Sequence, residues 1–335
     1  SNSLMVENST FSFNSAERGV GGGIFLNVLS TSTNYDISSS AFSHNIARQG
    51  GGLHAAKAST LSNTPSLSFT DCDFSNNMLR SFIDTETCSG GGLLASNFES
   101  VMFNRVSFQR NSIEGTGTAQ GASASILNGE LIDAIEVISS FNNIIGSNFN
   151  RRGAGFYLVS CQTVNLKDSI FDNNRMIPDS SLRGNSAGGA MYISSSLVNI
   201  LNLNFLENEC VTGLDSSVSS SGGALFITSD STLSMHDSLM RGNKVTGSSS
   251  SSGGALLAEA SSRVFLYNST CSSNSAVNQG GCAVLRDTSS DSFVDHVQIE
   301  DNSANIGGGL VVVQATFKLA NVSILSNNAH QSGGA

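Results

Sequence analysis

At 335 residues the chain could hold two or three ordinary domains, but 13% charged residues, 34 Gly, two Pro and no Trp do not suit a helical protein. A net charge of −10 without any Lys/Arg cluster excludes nucleic acid or an anionic membrane surface as partner, because both require a basic face. No apolar run approaches the roughly 20 residues of a membrane-spanning helix, so no membrane insertion is expected of this segment.

From the N-terminus onward the chain repeats one pattern. An Asn closes an apolar segment at Asn14, Asn45, Asn77, Asn111, Asn148, Asn174, Asn208, Asn243, Asn274, Asn302 and Asn327, at intervals of 25 to 37 residues. Three positions before these stand Phe11, Phe42, Phe74, Phe108, Ile145, Phe171, Phe205, Met240, Cys271, Ile299 and Ile324, an apolar column that must point inward. Ten and eight positions before them the residues are apolar in almost every repeat, as in Leu4 and Val6, Leu67 and Phe69, or Val198 and Ile200, which is the period of a strand. The step from that strand to the next apolar pair is three rather than two, so the chain turns near the polar position six before the Asn, occupied for example by Asn8, Asp71, Arg105, Asn142, Asp168 and Asp237. A Gly cluster then opens a third short strand, as at Gly188-Gly189 before Ala190 and Tyr192.

Self-similarity of this kind outranks any single motif. The shortest repeat, 25 residues from Asn302 to Asn327, fits one turn of a β-helix, whereas a propeller blade needs about 40 residues or more. The expected fold is all-β: a parallel β-helix of about eleven coils with three short strands per coil, roughly 50 Å long at about 4.8 Å per coil. Residues 1–335 read as one continuous unit, an internal part of a larger protein, because neither end carries a capping segment. The Asn column should form a ladder, since a side-chain amide can serve its own turn and the next coil, and Asn tolerates the left-handed backbone of a tight corner. In the fourth repeat Gly121-Ala122-Ser123 replaces the Gly cluster, so an irregular coil is expected near 115–140.

Phe171-x-x-Asn174 followed by Gly188-Gly189-Ala190-Met191, and Phe205-x-x-Asn208 followed by Gly222-Gly223-Ala224-Leu225, resemble the repeats of the chlamydial polymorphic outer-membrane proteins. The resemblance covers nearly the whole chain. It implies a right-handed parallel β-helix of the pectin-lyase-like class and a secreted, surface-exposed adhesin passenger.

Three sequons place Asn8, Asn268 and Asn321 in the same outward column, candidates for N-glycosylation on a eukaryotic secretory route. Six Cys in a presumed secreted chain suggest disulfides: Cys72 with Cys88 across the insertion of the third coil, and Cys271 with Cys282 across one tight corner, leaving Cys161 and Cys210 unpaired. Asp71, Asp168 and Asp237 share the outward column, but no two fall on adjacent coils as paired glycosidase carboxylates should, and the five His take unrelated positions. No metal or cofactor is expected. The segments 78–89, 112–120, 175–187, 209–221 and 244–252 leave the same corner and should form a loop fringe along one edge.

These readings converge on a non-enzymatic extracellular or cell-surface protein, an adhesin stalk or a component of a surface filament. Its partners would be copies of itself, other surface proteins or glycans. The competing classes are a polysaccharide-binding or polysaccharide-cleaving protein and a bacterial autotransporter passenger.

Overall fold

A computed structural model describes residues 3–28, 34–57, 65–81, 83, 86–146, 150–178, 184–213, 218–247, 249–289 and 291–334. The described residues form a parallel β-solenoid without a helix. Three sheets, I to III, contain eleven strands each; sheet IV contains ten and a short sheet V five. One coil shows the order: Thr163–Lys167 in sheet I, Ile170–Asp172 in II, Arg175–Ile177 in III, Ser186–Ala187 in V and Met191–Ser194 in IV. Every strand pairs in parallel with its counterpart one coil away, so equivalent residues stack: Val164 on Val198, Phe171 on Phe205, Tyr157 on Tyr192.

Among the described residues the first ten coils thus have four or five strands and the eleventh has three. The additional strand of sheet III begins directly after the ladder Asn, where sequence reading placed only loop. It is short and turns a single apolar side chain inward, as Leu79, Ile113, Met176 and Val245 do. One inward residue generates no period-two signal. Parts of the expected loop fringe are strand: among the described residues, segments 78–89, 112–120, 175–187 and 209–221 each contribute strands to sheets III and V.

Left-handed corners separate the strands. The turn from sheet I to II uses Asn8, Ser39, Asp71, Arg105, Glu136, Asp168, Asn202, Asp237, Asn268, His296 and Asn321, with φ between 44° and 55°. The turn from II to III places the positive φ on the residue just before the ladder Asn, such as His44, Asn76, Arg110, Asn173 and Glu207, and not on the ladder Asn itself. The turn into sheet IV falls on the first Gly of each cluster, including Gly188 at φ 71° and Gly222 at φ 60°. The second Gly answers a different need: a Cβ on Gly189 would lie 2.0 Å from the carbonyl oxygen of Gly223 in the next coil.

Segment 115–140 is regular, contrary to the sequence expectation. Ala124–Leu127 pairs residue for residue with the strands before and after it, as does Leu131–Ile135. Gly121 supplies the positive φ of 61°, and Ala122 and Ser123 take the remaining cluster positions without disturbing the register.

The interior holds two cores. The larger, enclosed by sheets I, II and IV, stacks Phe42 on Phe74 at 4.7 Å and Phe74 on Phe108 at 5.0 Å between ring centres. Ser139 breaks this column, and Phe156 of sheet IV fills the space, edge-on to Phe108 at 5.6 Å and to Phe171 at 5.1 Å. Each buried Phe contributes roughly 1.5 to 3 kcal/mol by removal from water. A smaller core behind sheet III collects the side chains after the Asn column, among them Leu79, Ile113, Met176 and Cys210. The coil is pinched between the two, since a Cβ on Gly52 would lie 3.1 Å from both Asn77 Nδ2 and a Phe74 ring carbon.

Candidate functional site

Two arrangements could bear function: the amide column that makes the solenoid one body, and a groove on its outer surface. The column runs Asn14, Asn45, Asn77, Asn111, Asn142, Asn174, Asn208, Asn243, Asn274, Asn302, Asn327. Each Oδ1 accepts from the backbone N–H and the Nδ2 of the preceding Asn; Asn208 Oδ1, for instance, accepts from Asn174 N at 3.1 Å and Nδ2 at 3.0 Å. The second hydrogen of each Nδ2 reaches back to a carbonyl of the previous coil, as from Asn77 to Phe42 at 2.7 Å. One side chain therefore ties three successive coils together, and most of the column is fully buried.

Asn148, expected as the fifth rung, lies outside the described residues, and Asn142 takes its place. The Phe-x-x-Asn template failed there because the true inward residue is Ser139, whose polarity hides it, while Ile145 is exposed at 38%. Spacing carried the missing signal: with Asn142 the neighbouring intervals become 31 and 32 residues.

Among the remaining candidates, Asn8, Asn268 and Asn321 stand exposed at left-handed corners with φ of 47°, 44° and 51°. Asn268 Nδ2 donates to Asp237 Oδ1 at 2.5 Å and Asn321 Nδ2 to Asp295 Oδ1 at 3.0 Å. The disulfide Cys271–Cys282 is present, joining two inward positions of one coil. Cys72 and Cys88 are not joined. Cys72 lies in the larger core with its thiol against the carbonyls of Ile37 and Thr70, while Cys88 lies in the smaller core on sheet V. Cys161 and Cys210 are also free and buried, and burial pushes the Cys88 and Cys161 thiols up to about 11. Asp71 takes a two-pronged ion pair from Arg105 at 2.6 and 2.9 Å, and Asp168 accepts from Asn202 at 2.7 Å. Glu136 occupies the same corner one coil before Asp168, so two carboxylates do fall on adjacent coils there, which the sequence expectation missed because the fifth rung is Asn142. No group of three His, Cys, Asp or Glu suited to a metal ion occurs among the described residues, and no helix is long and apolar enough to cross a membrane.

The groove lies where sheet V meets sheet IV, on the outer side of the Gly corner, and encloses about 510 Å³. Sequence reading missed it, because its wall belongs to the segments taken as loops. Its floor on sheet IV is the ring pair Tyr192 and Phe226, 5.3 Å apart, part of an outward stack in which Tyr157 lies 5.2 Å from Tyr192. The stack continues into Leu257 and Val284 and is almost wholly covered, Tyr192 being 8% and Phe226 7% exposed. Polar residues of successive coils form the opposite wall, with Ser221, Ser252 and Gln279 bridged in parallel.

Three arginines mark this groove. Arg152 lies over the Tyr192 ring at 5.1 Å, a cation–π contact. Arg286 closes the far end, 3.7 Å from Glu259 and 3.4 Å from Gln279 Oε1. Arg151 is fully buried in the wall and donates to Ser186 Oγ at 2.9 Å and to the carbonyls of Gly146 and Gly184 at 3.0 and 2.9 Å. Burial draws its guanidinium down to about 10, still charged at neutral pH. Glu259 is the one carboxylate among the groove-lining residues, and burial raises its pKa against the opposing pull of Arg286.

Comparison with protein-family models and with curated protein sequences finds no match to the chain.

Proposed function

We propose that this chain is a non-enzymatic structural and adhesive rod of the cell surface or extracellular space, meeting copies of itself, other surface proteins or glycans. The observation that carries the reading is the unbroken amide column, which links all eleven rungs into one stiff body. A stack in which each coil contacts only its neighbours resists bending along its length, and its outward columns repeat at a fixed spacing. Such geometry suits display. The disulfide between Cys271 and Cys282 supports an oxidising compartment, and the exposed corner positions of Asn8, Asn268 and Asn321 suit glycan attachment.

Electron microscopy of the natively isolated protein, combined with mass analysis before and after a glycosidase, tests the reading. Rods or fibres carrying glycan at these asparagines support a eukaryotic surface filament. Glycan-free single rods move the reading to a bacterial passenger, and hydrolysis or elimination of a polysaccharide by the purified protein overturns it in favour of an enzyme.

A further inference from the structure

We propose that the outer groove binds a linear acidic saccharide, with Arg152 and Arg286 taking its carboxylate or sulfate groups and the hydroxyl and amide side chains of the wall taking its hydroxyls. This binding site goes beyond the rod reading, which stands without it.

Charge is the first argument. The chain carries −10 overall, yet this groove presents the guanidinium groups of Arg152 and Arg286, with that of Arg151 buried behind its wall, against one carboxylate, Glu259, itself occupied by Arg286. Arg151 is held without a carboxylate, by carbonyls and a hydroxyl alone, so its charge is not cancelled where it sits. A buried cation retained in this way costs stability, and its field adds to that of Arg152 in a cleft with low-dielectric walls. No carboxylate among the described residues forms an ion pair with Arg152. The planar guanidinium forks of Arg152 and Arg286 match the paired oxygens of a carboxylate or sulfate.

Shape is the second argument. Arg152 belongs to the coil of Asn142 and Arg286 to that of Asn274, four rungs apart, which is about 19 Å along the axis at roughly 4.8 Å per rung. Between them the wall offers Ser221, Ser252, Asn278 and Gln279, which can donate and accept, as a chain of sugar hydroxyls requires. A single-stranded nucleic acid needs exposed rings on which bases stack, and the groove's rings are covered. A docked peptide would need a free strand edge or apolar pockets, and the wall supplies neither.

Isothermal titration of the intact protein at low salt provides the test. The probes are a hexuronate tetrasaccharide, a sulfated neutral-sugar tetrasaccharide, the unmodified tetrasaccharide and a short single-stranded DNA. One or both acidic saccharides should bind, about tenfold or more tighter than the neutral one, and their ranking identifies the anionic group. Arg152→Ala with Arg286→Ala should remove at least about tenfold of that affinity, while Arg80→Ala, in an exposed ion pair elsewhere on the rod, should leave it unchanged. If the double variant does not fold, Arg152→Gln alone replaces it, read by Tyr fluorescence on titration, since the chain has no Trp and Tyr192 lies beneath Arg152. No binding at millimolar saccharide, equal affinity for the neutral sugar, tighter binding of DNA, or an unchanged double variant each overturns the proposal. Rod morphology is unaffected by any of these outcomes, so the two readings fail separately.

Discussion

The amide column and the arginine groove are a few residues apart in sequence and opposite in construction. Asn174 bonds to Asn142, Ser139 and Asn208 on its two neighbouring coils and is fully buried. Arg152, in the preceding coil, has one aromatic contact and faces the groove. At the column every coil must repeat the same chemistry, because each amide is both donor and acceptor to its neighbours. On the outer wall the coils differ freely, from Arg152 through Ala187 and Ser221 to Gln279, because there only the backbone is shared between coils. A solenoid thereby confines fold to its inner columns and leaves its outer ones available for recognition.

The largest expected effect comes from breaking the inner column. Asn174→Ala leaves Asn142 N and Nδ2 without their acceptor and the Ser139 carbonyl without its donor, all in the buried interior. At about 1 to 3 kcal/mol per unpaired buried group, the loss should be on the order of 4 kcal/mol, measured as a shift in the urea midpoint. Asn142→Ala should cost a similar amount, and a midpoint equal to wild type would remove Asn142 from the column. Next is Gly188, at the hinge between interior and groove. Gly188→Ala forces Ala to φ 71° and sets its Cβ 2.1 Å from the Met191 carbonyl oxygen, so about 3 kcal/mol should be lost. Proteolysis of that variant should begin near the altered coil, since repeats unfold locally. Cleavage distributed evenly along the chain would contradict nearest-neighbour stacking.

His54 sharpens the comparison from the outer side. It occupies the outward column of sheet IV, stacked in register on Phe25 and Leu94, with its ring edge-on to Phe25 at 5.3 Å. Burial lowers its pKa from 6.5 to about 4, so the folded protein holds it neutral where the unfolded chain binds a proton. The stability it contributes is complete above pH 6.5 and is lost as the pH falls from there toward 4. Allowing for the solvent that still reaches the ring, the loss should be about 2 kcal/mol across that window, and His54→Phe should flatten that limb of the stability curve. An identical acid limb in wild type and His54→Phe would assign the acid sensitivity to other groups.

How much of this was legible follows from the same division. Repetition made the inner columns readable: Phe171-x-x-Asn174 and Phe205-x-x-Asn208 recur because each coil must present the same surface to the next. The reading failed where a column member was chemically disguised, as with Ser139, whose space Phe156 fills from another sheet. It failed again where one inward residue defines a strand, as Met176 does in Arg175–Ile177, because no period can be counted from one position. The pairing of Cys72 with Cys88 assumed that closeness in sequence meant closeness in space, whereas the pinch between the two cores separates them. The groove was illegible for a related reason: Arg152, Glu259 and Arg286 belong to different coils, and only the register of sheets IV and V brings them together.

The smallest expected effect tests whether the outer corner column contributes to stability at all. Arg105 and Asp71 occupy the same corner on successive coils and form a fork-to-fork pair, which lowers the Asp71 pKa chiefly through the hydrogen bond from Arg105. Both side chains are about half exposed, so water and salt screen the attraction, and ordering two side chains offsets much of the remainder. The corner is held instead by backbone bonds, since Asp71 N donates to Asn104 O at 3.0 Å whatever its side chain is. Arg105→Ala should therefore leave the unfolding midpoint within the scatter of replicate measurements at physiological salt, in contrast to the change at Asn174. A marked loss at Arg105, fading as salt is raised, would show that exposed charge pairs along this column share in holding the coils together, and the division between fixed interior and free exterior would have to be redrawn at that edge.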